Sequence, residues 1–130
     1  MNNSLRVLVA DGDPQVCSAL KLFLEQQPDT LVSVAGRAEE AANLAAGSTP
    51  DIILLDWQLA CKSSCGGFIH ELRRLCPGAA VIAMSARPEA RQAALNGGAD
   101  RFFSKNENPC ILLSSLGKLA GRKAADCPSR

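Results

Sequence analysis

The sequence predicts an α/β sandwich: one parallel five-stranded sheet in the order 2-1-3-4-5 between two layers of helices. Three observations predict it. Apolar runs such as Ile52-Ile53-Leu54-Leu55 show no polar alternation, the pattern of strands buried on both faces of a parallel sheet. Strand-like and helix-like stretches alternate along the chain, which calls for crossover connections. Chemically useful residues stand at the ends of the strands: Asp11, Asp56, Ser85 and Lys105.

Leu5 to Ala10 is the first strand, ending at Asp11. Asp13 is a natural N-cap and Pro14 a natural first helical residue. Val16, Ala19, Leu20, Phe23 and Leu24 recur at helical spacing, and Pro28-Asp29 stops that helix. Leu31 to Ala35 is a short second strand broken by Gly36. Ala38 to Ala46 is rich in helix formers and ends at Gly47.

Residues 52–55 form the third strand, with Asp56 where it stops. A long loop is expected from Trp57 to about Gly66, and Phe68, Ile69, Leu72 and Leu75 mark the next helix. Ala79 to Met84 is a fourth strand, and Pro88 opens a helix through Leu95. Arg101 to Ser104 is a fifth strand, ending at Lys105. Asn108-Pro109 starts a last helix with Ile111, Leu112, Leu116 and Leu119 on its apolar side. The expectation is five strands and five helices in one domain over residues 1–120, with 121–130 a polar tail or the start of a linker.

With right-handed crossovers and one reversal of winding, this is a flavodoxin-like (βα)5 fold. The reversal lies between strands 1 and 3, so Asp11 and Asp56 meet at the crevice where such sheets bind ligands. Each strand-end residue has a role in phosphoryl transfer. A carboxylate can be the nucleophile, a pair of carboxylates can hold Mg²⁺, and an ammonium and a hydroxyl can neutralise or hydrogen-bond phosphoryl oxygens.

Bulk properties exclude other classes. The composition is 47% hydrophobic and 21% charged, with net charge +1, so nothing points to nucleic acid or an anionic membrane surface. No apolar run approaches the roughly 18 residues of a membrane span, and the polar start reads as no signal peptide, so the expected location is cytoplasmic. The six cysteines are scattered, and reduced thiols are expected. Cys61 and Cys65 alone lie close; a redox-responsive bridge between them is a speculative alternative, and with His70 the sole histidine no zinc site is completed. Trp57 is read as packing over the rim of the crevice. Nothing in the sequence points to an electron carrier, because no phosphate-cradling loop accompanies that tryptophan.

Four phrases in order, Val7–Pro14, Pro50–Asp56, Val81–Ala86 and Gly98–Lys105, resemble the receiver domain of two-component response regulators over about residues 5–120. The Gly-Ala-Asp and Ser-Lys wording is similar to regulators with a LuxR-type DNA-binding domain. The resemblance implies that Asp56 is the phosphoacceptor, charged by a sensor histidine kinase with Mg²⁺. It implies that Asp11, Asp56 and the backbone carbonyl of Gln58 bind the metal, that Lys105 assists transfer, and that Ser85 and Phe102 are the switch pair. Phosphorylation would alter the surface of the fourth helix, fifth strand and fifth helix, where a downstream protein or output domain would read it. No direct nucleic-acid or membrane contact by this chain is implied, and no enzymatic activity beyond helping its own phosphorylation and dephosphorylation.

Two departures stand out. The family's second acid, a direct Mg²⁺ ligand, is replaced by Gly12, with Asp13 one residue later. Asp13 can be the N-cap, a substitute ligand, or both. The family's proline about four residues past the phosphoacceptor is Ala60 here, and the glycines come late, at Gly66-Gly67. A degenerate receiver that binds proteins without phosphorylation is the alternative that Gly12 raises.

Overall fold

The strands β1 (Leu5–Ala10), β2 (Thr30–Ala35), β3 (Ile52–Asp56), β4 (Ala80–Ser85) and β5 (Arg101–Ser104) form one sheet in the order β2-β1-β3-β4-β5. All four pairings are parallel, as the sequence predicts. The computed structural model describes residues 4–63 and 66–119. The tail expected from residue 121 lies outside them.

Alternate residues of the central strands feed two cores. Leu8, Ala10, Ile53, Leu55, Val81 and Ala83 face one side, and Val7, Val9, Ile52, Leu54, Ile82 and Met84 face the other. Both faces are covered, which is why these strands show no polar alternation. Burying each large side chain contributes about 1.5–3 kcal/mol relative to exposure.

Helices α1 (Pro14–Glu25) and α6 (Pro109–Leu119) cover the second face through Cys17, Leu24, Leu112, Leu113 and Leu116. The buried stripe of α1 is Cys17, Leu20 and Leu24 with Phe23 at its edge; Ala19 is exposed. The expected stripe from Val16 and Ala19 is therefore rotated, because the small Cys17 side chain behaves as a core residue and its thiol donates to Asp11 O at 3.3 Å. On α6, Leu113 is buried and Ile111 is exposed, the reverse of the expected membership of Ile111, since 112, 113 and 116 are the positions that face the sheet. Leu119, also expected on that stripe, ends the helix as described.

The other face carries α2 (Ala38–Ser48), α3 (Trp57–Ser63), α4 (Gly66–Leu75) and α5 (Arg91–Asn96). A single 3₁₀ turn, Pro88–Ala90, precedes α5, so the helix expected from Pro88 is split in two. The main correction is α3. The stretch expected to be a loop after Asp56 is helical from Trp57 to Ser63, giving six α-helices among the described residues. Trp57-Gln58-Leu59-Ala60-Cys61-Lys62 contains no helix breaker, and Ala60, where the family pattern has proline, is fully buried against the core. Cys65, one half of the speculative bridge, lies outside the described residues. Cys17 and Cys76 are buried free thiols, whereas Cys110 is disulfide-bonded, so the expectation of reduced thiols throughout fails there.

Trp57 does not cap the crevice rim. It is buried in the α2–α5 core because α3 begins at once and turns its indole inward. Its ring lies over Gly97, the C-cap of α5: a Cβ added there would sit 2.9 Å from Trp57 Cη2 and 3.2 Å from Ala93 O. Gly97→Ala is therefore expected to destabilise the domain by about 1–3 kcal/mol through overpacking. Thermal unfolding of Gly97→Ala, Trp57→Phe and the double variant checks this. The two losses should be non-additive, because trimming the indole relieves the clash.

The link from α5 to β5 explains the Gly98-Ala99-Asp100 phrase. Gly98 adopts φ +112°, a conformation that favours glycine. Ala99 is buried, and Asp100 Oδ2 accepts from Val81 N at 2.8 Å and from Arg73 Nη2 of α4 at 3.0 Å. This carboxylate sets where β5 starts and hence where Lys105 ends it.

Candidate phosphoryl-transfer site

Pairing of Ala10 with Leu55 brings the ends of β1 and β3 side by side, so Asp11 and Asp56 emerge together. Ser85 pairs with Ser104, and Lys105 N donates to Ser85 O at 2.9 Å, placing Lys105 at the same edge. Three of the four strand-end residues form one charge cluster. Lys105 Nζ lies 2.5 Å from Asp11 Oδ2 and 3.2 Å from Asp56 Oδ1. Both carboxylates are buried, Asp11 at 1% and Asp56 at 8% exposure.

One ammonium thus serves two buried carboxylates, and the balance is uneven. Burial is the main force pushing the Asp56 carboxyl above its ordinary range, with the charge of Asp11 next; Lys105 and the Gln58 amide oppose them without prevailing. Burial works to lower the Lys105 pKa, but the hydrogen bonds and charges of Asp11 and Asp56 outweigh it and leave it raised. Lys105 is held as a cation, while Asp56 is short of positive charge.

Asp11 Oδ1 accepts from Asp13 N at 2.9 Å, and its buried Oδ2 is paired with the Lys105 ammonium. Two buried carboxylates sharing a single ammonium at the cleft fit a divalent cation. Among the described residues no three His, Cys, Asp or Glu side chains converge. Mg²⁺ commonly uses only one or two carboxylates, the remainder being phosphate and water oxygens, so this donor set fits it.

Asp13 is the N-cap of α1, its Oδ1 accepting from Gln15 N at 2.9 Å. Of its two expected roles, the structure shows the cap. Gly12 occupies open space, the nearest atom to an added Cβ being Gly36 O at 4.0 Å. Ser85 is buried and does not line the cleft; its Oγ accepts from Arg87 N at 3.0 Å. Phe102, three residues before Lys105, is half-buried and packs against the α2–α5 core.

The cleft, about 500 Å³, is lined by Asp11, Gly12, Asp13, Pro14, Asp56, Lys105 and three residues of α3. Those three are Gln58, Leu59 and Lys62. Sequence reasoning places Gln58 here and misses Lys62. Its spacing of four from Gln58 would have revealed it, had the stretch been read as helix.

The chain's similarities agree with this geometry. The sequence profile of the response regulator receiver domain matches residues 7–116. An uncharacterised 14.6 kDa protein of Leptolyngbya boryana is 32% identical over 113 residues, covering 82% of this chain and 83% of that protein. The nitrate/nitrite response regulator protein NarL of Escherichia coli K12 is 28% identical over 88% of this chain, and the chain spans 54% of NarL's length. A two-component response regulator from Clostridium difficile superposes with a TM-score of 0.80 at 25% identity, covering 92% of this chain and 98% of that one. A response regulator protein from Burkholderia pseudomallei, with a phosphorylated aspartic acid, calcium ion and citrate, gives 0.77 at 25% identity, covering 91% and 69%. With β-strand order, strand-end cluster and family profile in agreement, this chain belongs to the response regulator receiver domains of two-component systems.

Proposed function

We propose that the chain is a phosphorylation-dependent switch whose phosphoacceptor is Asp56. The observation that carries this reading is the cluster in which Lys105 bridges Asp11 and Asp56 at the crevice. The Burkholderia neighbour with its phosphorylated aspartate and calcium ion supports it. A carboxylate oxygen of Asp56 attacks the phosphorus of a kinase phosphohistidine; the P–O bond forms as the P–N bond breaks, and the imidazole leaves with a proton from solvent. Lys105 neutralises charge on the transferring group. The Asp11 and Asp56 carboxylates and the Gln58 carbonyl would hold Mg²⁺, which supplies further neutralisation. The domain acts at most on its own phosphoryl group and is not an independent enzyme.

The added charge draws on the hydroxyl of Ser85, whose Oγ accepts from Arg87 N and whose O–H can donate to a phosphoryl oxygen, and Phe102 follows toward the core. The surface around α5, β5 and α6 is the region a downstream protein or output domain would read. A sensor histidine kinase is the partner upstream, and the cytoplasm is the matching compartment. Among the described residues no helix is long and apolar enough to cross a membrane.

Gly12 favours one second reading, a receiver that binds its partner without phosphorylation. Acetyl phosphate with millimolar Mg²⁺ separates the two. The switch predicts one added phosphoryl group by intact-mass measurement, absent in Asp56→Asn, together with a change in Trp57 fluorescence, which reports as the residue adjoining Asp56. No phosphorylation of wild type and no response to beryllofluoride would leave the phosphate-independent module.

A further inference from the structure

Position 62 is where the departures of this chain converge. Gly12 removes an acid from the cleft, and the replacement of proline by Ala60 accompanies helix α3, which carries Lys62 to the cleft wall one turn beyond Gln58. The result is a wall with two lysines, Lys62 and Lys105, where Lys105 alone already serves two buried carboxylates. Lys62 is exposed to solvent on the cleft wall, so its ammonium can reach a group bound there. Phosphorylation of Asp56 would add negative charge there, with one metal-binding acid fewer to anchor Mg²⁺ against it.

We propose that Lys62 is a phosphoryl-binding residue of this cleft, its ammonium hydrogen-bonding oxygens of the aspartyl phosphate on Asp56 and supplying positive charge opposite Lys105. This rests on Asp56 being the phosphoacceptor. The chemistry implies opposite signs for two ligands. A cation in the wall favours the phosphoryl anion and disfavours a bare metal ion. A merely structural lysine would weaken both together.

The test titrates beryllofluoride, a phosphoryl mimic, at saturating Mg²⁺, and Mg²⁺ alone, following Trp57 fluorescence and calorimetry. In Lys62→Ala the beryllofluoride affinity is expected to fall about three- to tenfold, the loss of one charge-assisted hydrogen bond at an exposed site. Lys62→Arg, which keeps the charge, should stay within about twofold of wild type. Mg²⁺ affinity in Lys62→Ala should hold or tighten. Unchanged beryllofluoride affinity in Lys62→Ala, or parallel weakening of both ligands, overturns the role of Lys62 and leaves the switch intact. Failure of wild type to bind beryllofluoride and to take up a phosphoryl group overturns the switch and Lys62's role with it.

Discussion

Lys105→Ala is expected to lower the stability of the domain by about 2–3 kcal/mol at neutral pH, somewhat below the ~3–5 kcal/mol for breaking a fully buried pair, because Lys105 keeps 22% of its side-chain surface in water. The substitution leaves Asp11 and Asp56 facing each other with no cation between them. The deficit should depend on pH, and its sign follows from Asp56. Its folded-state pKa is raised, chiefly by burial and then by Asp11, so its contribution to stability is fully present below the ordinary carboxylate range and is lost as pH rises through the raised value. Without Lys105 that rise has one opponent fewer. The variant should therefore approach wild type as pH falls, when protonation of Asp56 removes one of the facing charges. Millimolar Mg²⁺ should stabilise the variant more than it stabilises wild type, since the ion competes with no ammonium. Urea unfolding across an acid-to-neutral series, with and without Mg²⁺, reads all three effects. A deficit that is flat with pH and indifferent to Mg²⁺ would mean that Lys105 contributes by packing alone.

Gly12→Asp should tighten Mg²⁺ binding by about tenfold or more, equivalent to ~1.4 kcal/mol of added carboxylate–metal interaction. The backbone has room for it. Nothing but Gly36 O approaches an added Cβ, at 4.0 Å, and Gly12 is not among the glycines with positive φ. The site also asks for positive charge, as the sharing of one ammonium by two buried carboxylates and the raised Asp56 both indicate. Before metal is added, a third carboxylate should cost a little stability, and saturating Mg²⁺ should return it. The pairing of a less stable apo form with a tighter metal complex distinguishes a new ligand from a surface charge. Equal Mg²⁺ affinity in Gly12→Asp and wild type, measured by calorimetry, would show that a side chain at 12 does not reach the ion and that Gly12 is not what weakens the site.

Much of the architecture is legible in the residues because its signals are local and repeated. Strands buried on both faces write themselves as Leu8-Val9-Ala10, Ile52 to Leu55 and Val81 to Met84, with no polar face to reconcile. Parallel connections then leave few topologies, and the ends of β1, β3 and β5 carry Asp11, Asp56 and Lys105 to one edge whatever the details of the helices. Boundaries moved by a residue where a strand keeps its hydrogen bonds past the last apolar side chain, as at Asp56 and Ser85.

What only the tertiary structure decided concerns the direction of side chains and the state of one short segment. Seven residues from Trp57 to Ser63 are too few to show a helical period, and an isolated helix of that length is marginal. Its helicity depends on Leu59 and Ala60 finding the α2–α5 core, a contact the segment cannot announce by itself. The same packing turned Trp57 toward Gly97 and brought Lys62 to the cleft, while the first turn of α1 engaged Asp13 as its cap. The apolar pattern of the sequence determined the sheet and the meeting of Asp11, Asp56 and Lys105, because burial of long apolar runs has one solution. Which groups ring that site was left to the fold, because the position of a polar side chain is set by neighbours distant in the chain.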